Sequence, residues 1–217
     1  MSDVEETESA RSLLLDIPDW SGHRPGQHVD IRLTAADGYQ ATRSYSLSNG
    51  PEEIPQITVE SVEGGEVSPF LVDTIRVGDP FEIRGPVGGY FVLDESDRPL
   101  TLIAGGSGVA PLRSMWRAAP ADREVRLIYS ARNADRMVFL DEVRSGPDII
   151  TRLHLTRDTG PGFVGGRIDQ NAIAAILGHL QPPSVYVCGP TAFVESVVTF
   201  LRELDVPQEN VRTERFG

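Results

Sequence analysis

Leu100-Thr101-Leu102-Ile103-Ala104 runs straight into Gly105-Gly106-Ser107-Gly108, and Val109-Ala110-Pro111 then opens a segment whose apolar positions recur at helical spacing. Strand, tight turn and helix in that order define one unit of a parallel α/β sheet. The glycines let the backbone approach a ligand closely, and the unpaired amides of the new helix suit a diphosphate. Two related motifs fail by one position each: a dinucleotide fingerprint needs glycine where Pro111 stands, and a hydrolase elbow needs glycine where Val109 stands. Read alone, the turn is open between a ligand cradle and a structural bend.

The same alternation continues towards the C-terminus. Strands are predicted at Val125–Tyr129, Ile149–Leu155 and Val185–Val187, with a last short one near Val211–Thr213 and helices near 111–118, 138–144, 170–179 and 191–204. Before residue 95 the texture differs. Short alternating runs at Ser12–Ile17, Gln27–Leu33, Thr42–Leu47, Gln56–Val62 and Pro80–Arg84 read as an N-terminal antiparallel β-barrel or sandwich. A helix is expected over Ser68–Ile75, with Ser68 as N-cap before Pro69. The polar link Asp94–Pro99 separates the halves, so residues 1–97 and 98–217 are expected as two domains, each large enough for its own core.

A formal charge of −12 argues against nucleic acid and anionic membranes as partners. All twenty basic residues are arginine, which excludes a lysine Schiff base and a P-loop lysine and leaves phosphate recognition to guanidinium groups and backbone amides. The single cysteine, Cys188, excludes an internal disulfide and an iron–sulfur cluster held by four cysteines of this chain. No apolar run reaches the roughly 20 residues that span a bilayer, and the acidic start lacks a signal peptide's regions. A cytoplasmic location is expected. His23, His154 and His179 show no metal-ligand spacing, so no metal is expected and they read as surface residues.

On the strand predicted at 42–47, Arg43-Ser44-Tyr45-Ser46 places Arg43 and Tyr45 on one face and Ser44 and Ser46 on the other. A planar cation beside an aromatic ring suits a flavin phosphate and ring, though an ordinary polar strand has the same pattern. Six ordered segments together are more restrictive: Pro25-Gly26-Gln27, Arg43-Ser44-Tyr45-Ser46, Ser68 at a helix start, Gly85-Pro86-Val87-Gly88, Gly105 to Pro111, and Cys188-Gly189-Pro190. In that order and spacing the chain resembles the ferredoxin–NADP reductase superfamily over nearly its whole length.

The resemblance implies a flavin-binding β-barrel followed by an NAD(P)-binding α/β domain. It places Arg43 on the flavin phosphate, Ser44 and Tyr45 beside it with Tyr45 against the ring, Ser46 near flavin N5, and Ser68 at the flavin diphosphate. Gly106, Ser107 and Gly108 would hold the dinucleotide diphosphate, and Cys188, Gly189 and Pro190 would border the nicotinamide. Ser46, Cys188 and Glu214 are the candidate catalytic residues, with Cys188 serving placement rather than attack, and Phe216 is the aromatic that would cover the flavin. Ser130, Arg132 and Arg157, at the ends of the second and third α/β strands, offer a hydroxyl and two guanidiniums to a 2′-phosphate, which leans towards NADPH over NADH.

FAD is the expected flavin, with FMN as the alternative, because Ser68 at a helix start suits a diphosphate. Hydride from the dinucleotide would pass through the flavin to a separate one-electron acceptor protein, a ferredoxin or an oxygenase component. A free-flavin or quinone reductase, or a cofactor-free regulatory module, are the competing readings. A monomer is expected. Two departures from the family pattern stand out: few residues precede Arg11, so the barrel's first strand is expected to be short or absent, and His28 stands where relatives often carry an aromatic.

Overall fold

The computed structural model describes residues 2–146, 149–178 and 183–216. Its first half holds β1 (Ser2–Thr7), β2 (Ala10–Leu14), β3 (His28–Thr34), β4 (Gln40–Ser46), β5 (Gln56–Glu60) and β6 (Glu82–Val87). These pair antiparallel as two three-stranded sheets, β1-β2-β5 and β4-β3-β6, joined by a bridge between Leu47 and Ile57. Alternation along the strands turns Leu13, Val29, Ile31, Ile57 and Val59 into one fully buried core. Each such side chain contributes about 1.5–3 kcal/mol on burial.

The second half follows with β7 (Leu100–Gly105), α1 (Val109–Ala118), β8 (Val125–Ala131), α2 (Leu140–Ser145), β9 (Ile149–Leu155), β10 (Val164–Gly165), α3 (Gln170–Leu177), β11 (Ser184–Pro190), α4 (Thr191–Glu203) and β12 (Val211–Phe216). The six strands lie parallel in the order β10-β9-β8-β7-β11-β12. One face packs on α1 and α2, the other on α3 and α4. The chain winds outward from β7 through β8 to β9 and then returns to β11 on the other side. The C-terminal ends of β7 and β11 therefore flank a topological switch point, where open α/β sheets form their ligand crevice.

Three expectations need correction. The first strand is present: β1 pairs with β2 across a tight turn, from Ser2↔Leu14 to Thr7↔Ala10, because the six residues Ser2–Thr7 are enough for a strand once β2 supplies its hydrogen-bonding partner. The segment after Ser68 is a single widened turn, Phe70–Thr74, and Ser68 does not cap it. Its hydroxyl accepts the Val62 amide at 3.1 Å instead, closing the preceding glycine turn. His23 and His154 are buried, not on the surface. Strand pairing of β9 carries His154 inward beside Ser130, and α1 covers His23, whose Nε2 lies 3.3 Å from Ser114 Oγ. Burial lowers the pKa of both rings, which favours the neutral form. His179 lies outside the described residues.

Candidate functional site

The glycine turn is shaped by three different demands. A Cβ on Gly108 would fall 2.3 Å from the carbonyl oxygen of Cys188, so the turn is pressed against the backbone of β11. A Cβ on Gly105 would enter the Phe193 ring at 2.8 Å, and one on Gly189 would meet the same ring at 2.7 Å. Phe193, in the first turn of α4, thus clamps the ends of β7 and β11 together. Gly106 differs: its φ is +56°, and among the described residues beyond its chain neighbours the nearest atom to a Cβ there is a Glu60 carboxylate oxygen at 3.9 Å. Its conformation favours glycine, and its surroundings are open apart from that carboxylate. Gly108→Ala is expected to destabilise the chain by about 1–3 kcal/mol and to weaken dinucleotide binding. Urea unfolding together with calorimetric titration checks both effects, and unchanged values would refute this account of the turn.

Three side chains meet on the seam between the halves. Ser46 ends β4, Cys188 lies on β11, and Glu214 lies on β12 directly opposite Cys188 in the strand register. Ser46 Oγ donates to Glu214 Oε2 at 3.4 Å, and Cys188 Sγ lies 3.9 Å from the same oxygen. Burial pushes the Glu214 carboxyl up to about 7, against the opposing effect of these two donors. The group is therefore poised to exchange a proton near neutrality. Burial also pushes the Cys188 thiol well above its ordinary value, with the Glu214 charge adding to the effect. A protonated, buried thiol is a poor nucleophile.

On the barrel side, Tyr45 is half-buried against the barrel core and Arg43 is exposed. Burial raises the Tyr45 hydroxyl to about 12, so it is a neutral donor. The Arg43 guanidinium donates to its neighbour Thr42 O at 2.8 Å and pairs loosely with Glu66 at 3.7 Å, a contact weak enough for a phosphate to displace. Ser44 points away to Asp30, donating at 2.6 Å. Guanidinium, aromatic ring and hydroxyl follow one another along β4, and this donor set fits a phosphate-bearing planar ring system such as a flavin. Ser44 and Ser68 are not brought into that cluster.

Helix α1 couples the two sides. Arg113 Nη1 donates to Ser48 O at 2.9 Å and Ser114 Oγ donates to Asn49 O at 2.7 Å. The residues just after Ser46 are thereby fastened to the helix that starts at the glycine turn. At the far end, Arg157 N donates to Arg132 O at 2.9 Å, so the chain ends of β8 and β9 lie side by side with both guanidiniums exposed. Ser130, two residues before Arg132 and paired with His154 of β9, is buried. Pro190 and Phe216 are exposed partners in the strand register, and Phe216 belongs to β12.

A barrel carrying Arg43, Tyr45 and Ser46, joined at a switch-point crevice to a parallel dinucleotide sheet, defines a two-domain oxidoreductase module. Family models agree: residues 4–91 match an oxidoreductase FAD-binding domain and residues 102–199 an oxidoreductase NAD-binding domain. The chain belongs to the ferredoxin–NADP reductase superfamily. It is 33% identical to a flavohemoprotein of Halalkalibacterium halodurans over 91% of this chain and 53% of that protein. It is 28% identical to the 3-ketosteroid-9-alpha-monooxygenase ferredoxin reductase component of Rhodococcus rhodochrous, over 99% of this chain and 63% of that protein. Among solved structures, Amycolatopsis cytochrome P450 reductase GcoB superposes with a TM-score of 0.87 at 26% identity, covering all of this chain and 68% of that one. The chain spans about half the length of the flavohemoproteins it matches.

Sequence reasoning missed Arg113, Ser114 and Glu60. The first two sit on the apolar-periodic helix, where their polar character was the available signal. Glu60 lies inside the strand expected over Gln56–Val62, and only the fold turns it towards Gly106.

Proposed function

We propose that this chain takes hydride from a reduced nicotinamide dinucleotide onto a bound flavin and delivers electrons to a separate acceptor. The meeting of Ser46, Cys188 and Glu214 carries the reading: two domains contribute to one cluster at the switch point, across 168 residues of sequence. A flavin held there would accept two electrons as hydride and release them singly. Arg43 would hold its phosphate, Tyr45 would cover its ring, and Ser46 would hydrogen-bond near N5. Ser44 and Ser68 would then serve the pocket indirectly, through Asp30 and the Val62 turn.

On the other side, the amides of Gly106, Ser107 and Gly108 would bind the diphosphate. Cys188, Gly189 and Pro190 would border the nicotinamide and keep water from the reacting faces, with Phe216 beside Pro190 as a cover. Glu214 would supply or take the proton at Ser46. Exposed Arg132 and Arg157, on adjacent chain ends after β8 and β9, favour NADPH over NADH together with Ser130, because two exposed arginines and a hydroxyl suit a 2′-phosphate. FAD rather than FMN, a domain boundary at 97/98 and a cytoplasmic, monomeric protein belong to the same reading. The relatives named as ferredoxin reductase components support a ferredoxin or an oxygenase component as acceptor.

Arg43→Ala is expected to lose most of its flavin on purification, read as visible absorbance per protein. Full flavin occupancy in that variant would count against the assignment. With wild-type protein, identification of the released flavin and comparison of NADPH with NADH as donors to ferricyanide settle both cofactors. Equal turnover on a free flavin or quinone without any protein acceptor would favour a small-molecule reductase.

A further inference from the structure

A carboxylate faces the open side of the glycine turn. Glu60 ends β5, and its position is fixed by the neighbouring backbone, where Ser61 N donates to Ser9 O at 2.8 Å. Among the described residues beyond the neighbours of Gly106 in the chain, the Glu60 Oε2 is the atom within 4 Å of a Cβ placed there, at 3.9 Å. Oε1 pairs with Arg136 Nη1 at 3.9 Å, and that guanidinium also donates to Ser9 Oγ at 2.9 Å. Both side chains are partly exposed, 31% for Glu60 and 45% for Arg136, so the pair is loose and able to rearrange. It bridges the barrel and the Ala134–Arg136 turn beyond β8, directly before the amides of the glycine turn.

We infer that Glu60 is an affinity-setting residue for the dinucleotide and Arg136 its counter-charge, an inference that rests on the dinucleotide reading above. A diphosphate reaching the Gly106 to Gly108 amides meets a like charge in Glu60. It draws Arg136 from Glu60 towards the phosphates. The carboxylate thereby limits how tightly the dinucleotide is held, and it speeds departure of the oxidised product, which carries the same diphosphate. With no lysine in the chain, Arg136 is the cation placed next to this carboxylate.

The test is calorimetric titration of wild type, Glu60→Gln, Arg136→Ala and the remote surface variant Glu203→Gln with NADP+ and with NAD+, at low and high salt. Glu60→Gln is expected to bind about tenfold more tightly at low salt, equal to about 1.4 kcal/mol, with the gain shrinking at high salt. Arg136→Ala is expected to bind several-fold more weakly, and Glu203→Gln to match wild type. Wild-type binding with no gain in Glu60→Gln overturns the inference. So does an equal gain in Glu203→Gln, which would make net charge the cause, or unchanged affinity in Arg136→Ala. Failure of wild type to bind either dinucleotide overturns the dinucleotide reading instead.

Discussion

Asp94→Ala is expected to lower stability by about 3–5 kcal/mol at neutral pH, because it strips the counter-charge from a buried arginine. Arg123 is 8% exposed and donates to Asp94 Oδ1 at 2.7 Å. Ser96 donates to the same oxygen, while Ser184 and Arg212 donate to Oδ2 at 2.6 and 3.2 Å. The Asp94 amide donates to Tyr186 Oη, whose hydroxyl donates to Val92 O. The link between the halves is thus tied to β11 and β12 at once. Loss of Asp94 would also remove one anchor of Arg212, two residues from Glu214, leaving it the Tyr186 hydroxyl at 2.7 Å and the face of the Tyr186 ring.

Burial pushes the Asp94 carboxyl up, but its hydrogen bonds from Ser184, Ser96 and Arg123 outweigh that and hold it well below the usual carboxylate range. A depressed folded-state pKa contributes stability that is complete above the unfolded value, about 4, and is lost as pH falls below it. The gap between wild type and variant should therefore stay constant through neutral pH and narrow in acid. Urea unfolding at a series of pH values measures it. A gap below about 1 kcal/mol at neutral pH would show that the link is not held this way.

Glu214→Gln is expected to reduce steady-state reduction of ferricyanide by about a hundredfold while flavin content is kept. Glutamine keeps the shape and the contact with Ser46 but cannot exchange a proton. The wild-type pH profile should carry an inflection near 7 that the variant lacks, since burial raises this carboxyl to about 7. The stability effect has the opposite sign to that of Asp94. A raised acid pKa disfavours the ionised fold, so the wild type loses stability as pH rises from about 4.5 through about 7. The variant should melt higher than wild type above that range and equal to it in acid. Unchanged turnover with an unchanged pH profile would remove Glu214 from the chemistry.

Much of this fold is written in local pattern. The apolar runs at 100–104, 125–129 and 149–155 and the alternation at 27–33 and 42–47 anticipate β7, β8, β9, β3 and β4, because strand period and turn residues act over a few residues. The β1 hairpin is not legible in local pattern because its polar, acidic strand has little apolar alternation, and its pairing with β2 supplies what its own sequence does not. The burial of His23 and His154 is illegible in the sequence for a related reason. A histidine's burial depends on which element covers it, here α1 for one and the sheet for the other.

By itself the sequence determined the two textures, the glycine turn after β7, and the residue types available to grip phosphate, since these follow from composition and short-range periodicity. Tertiary structure alone decided which glycine answers to which neighbour. Gly108 is demanded by the Cys188 carbonyl and Gly105 by Phe193, whereas Gly106 opens towards Glu60. It also decided that Ser46 and Glu214 share a hydrogen bond. Contacts between residues so far apart depend on strand order and register, and no local rule encodes them.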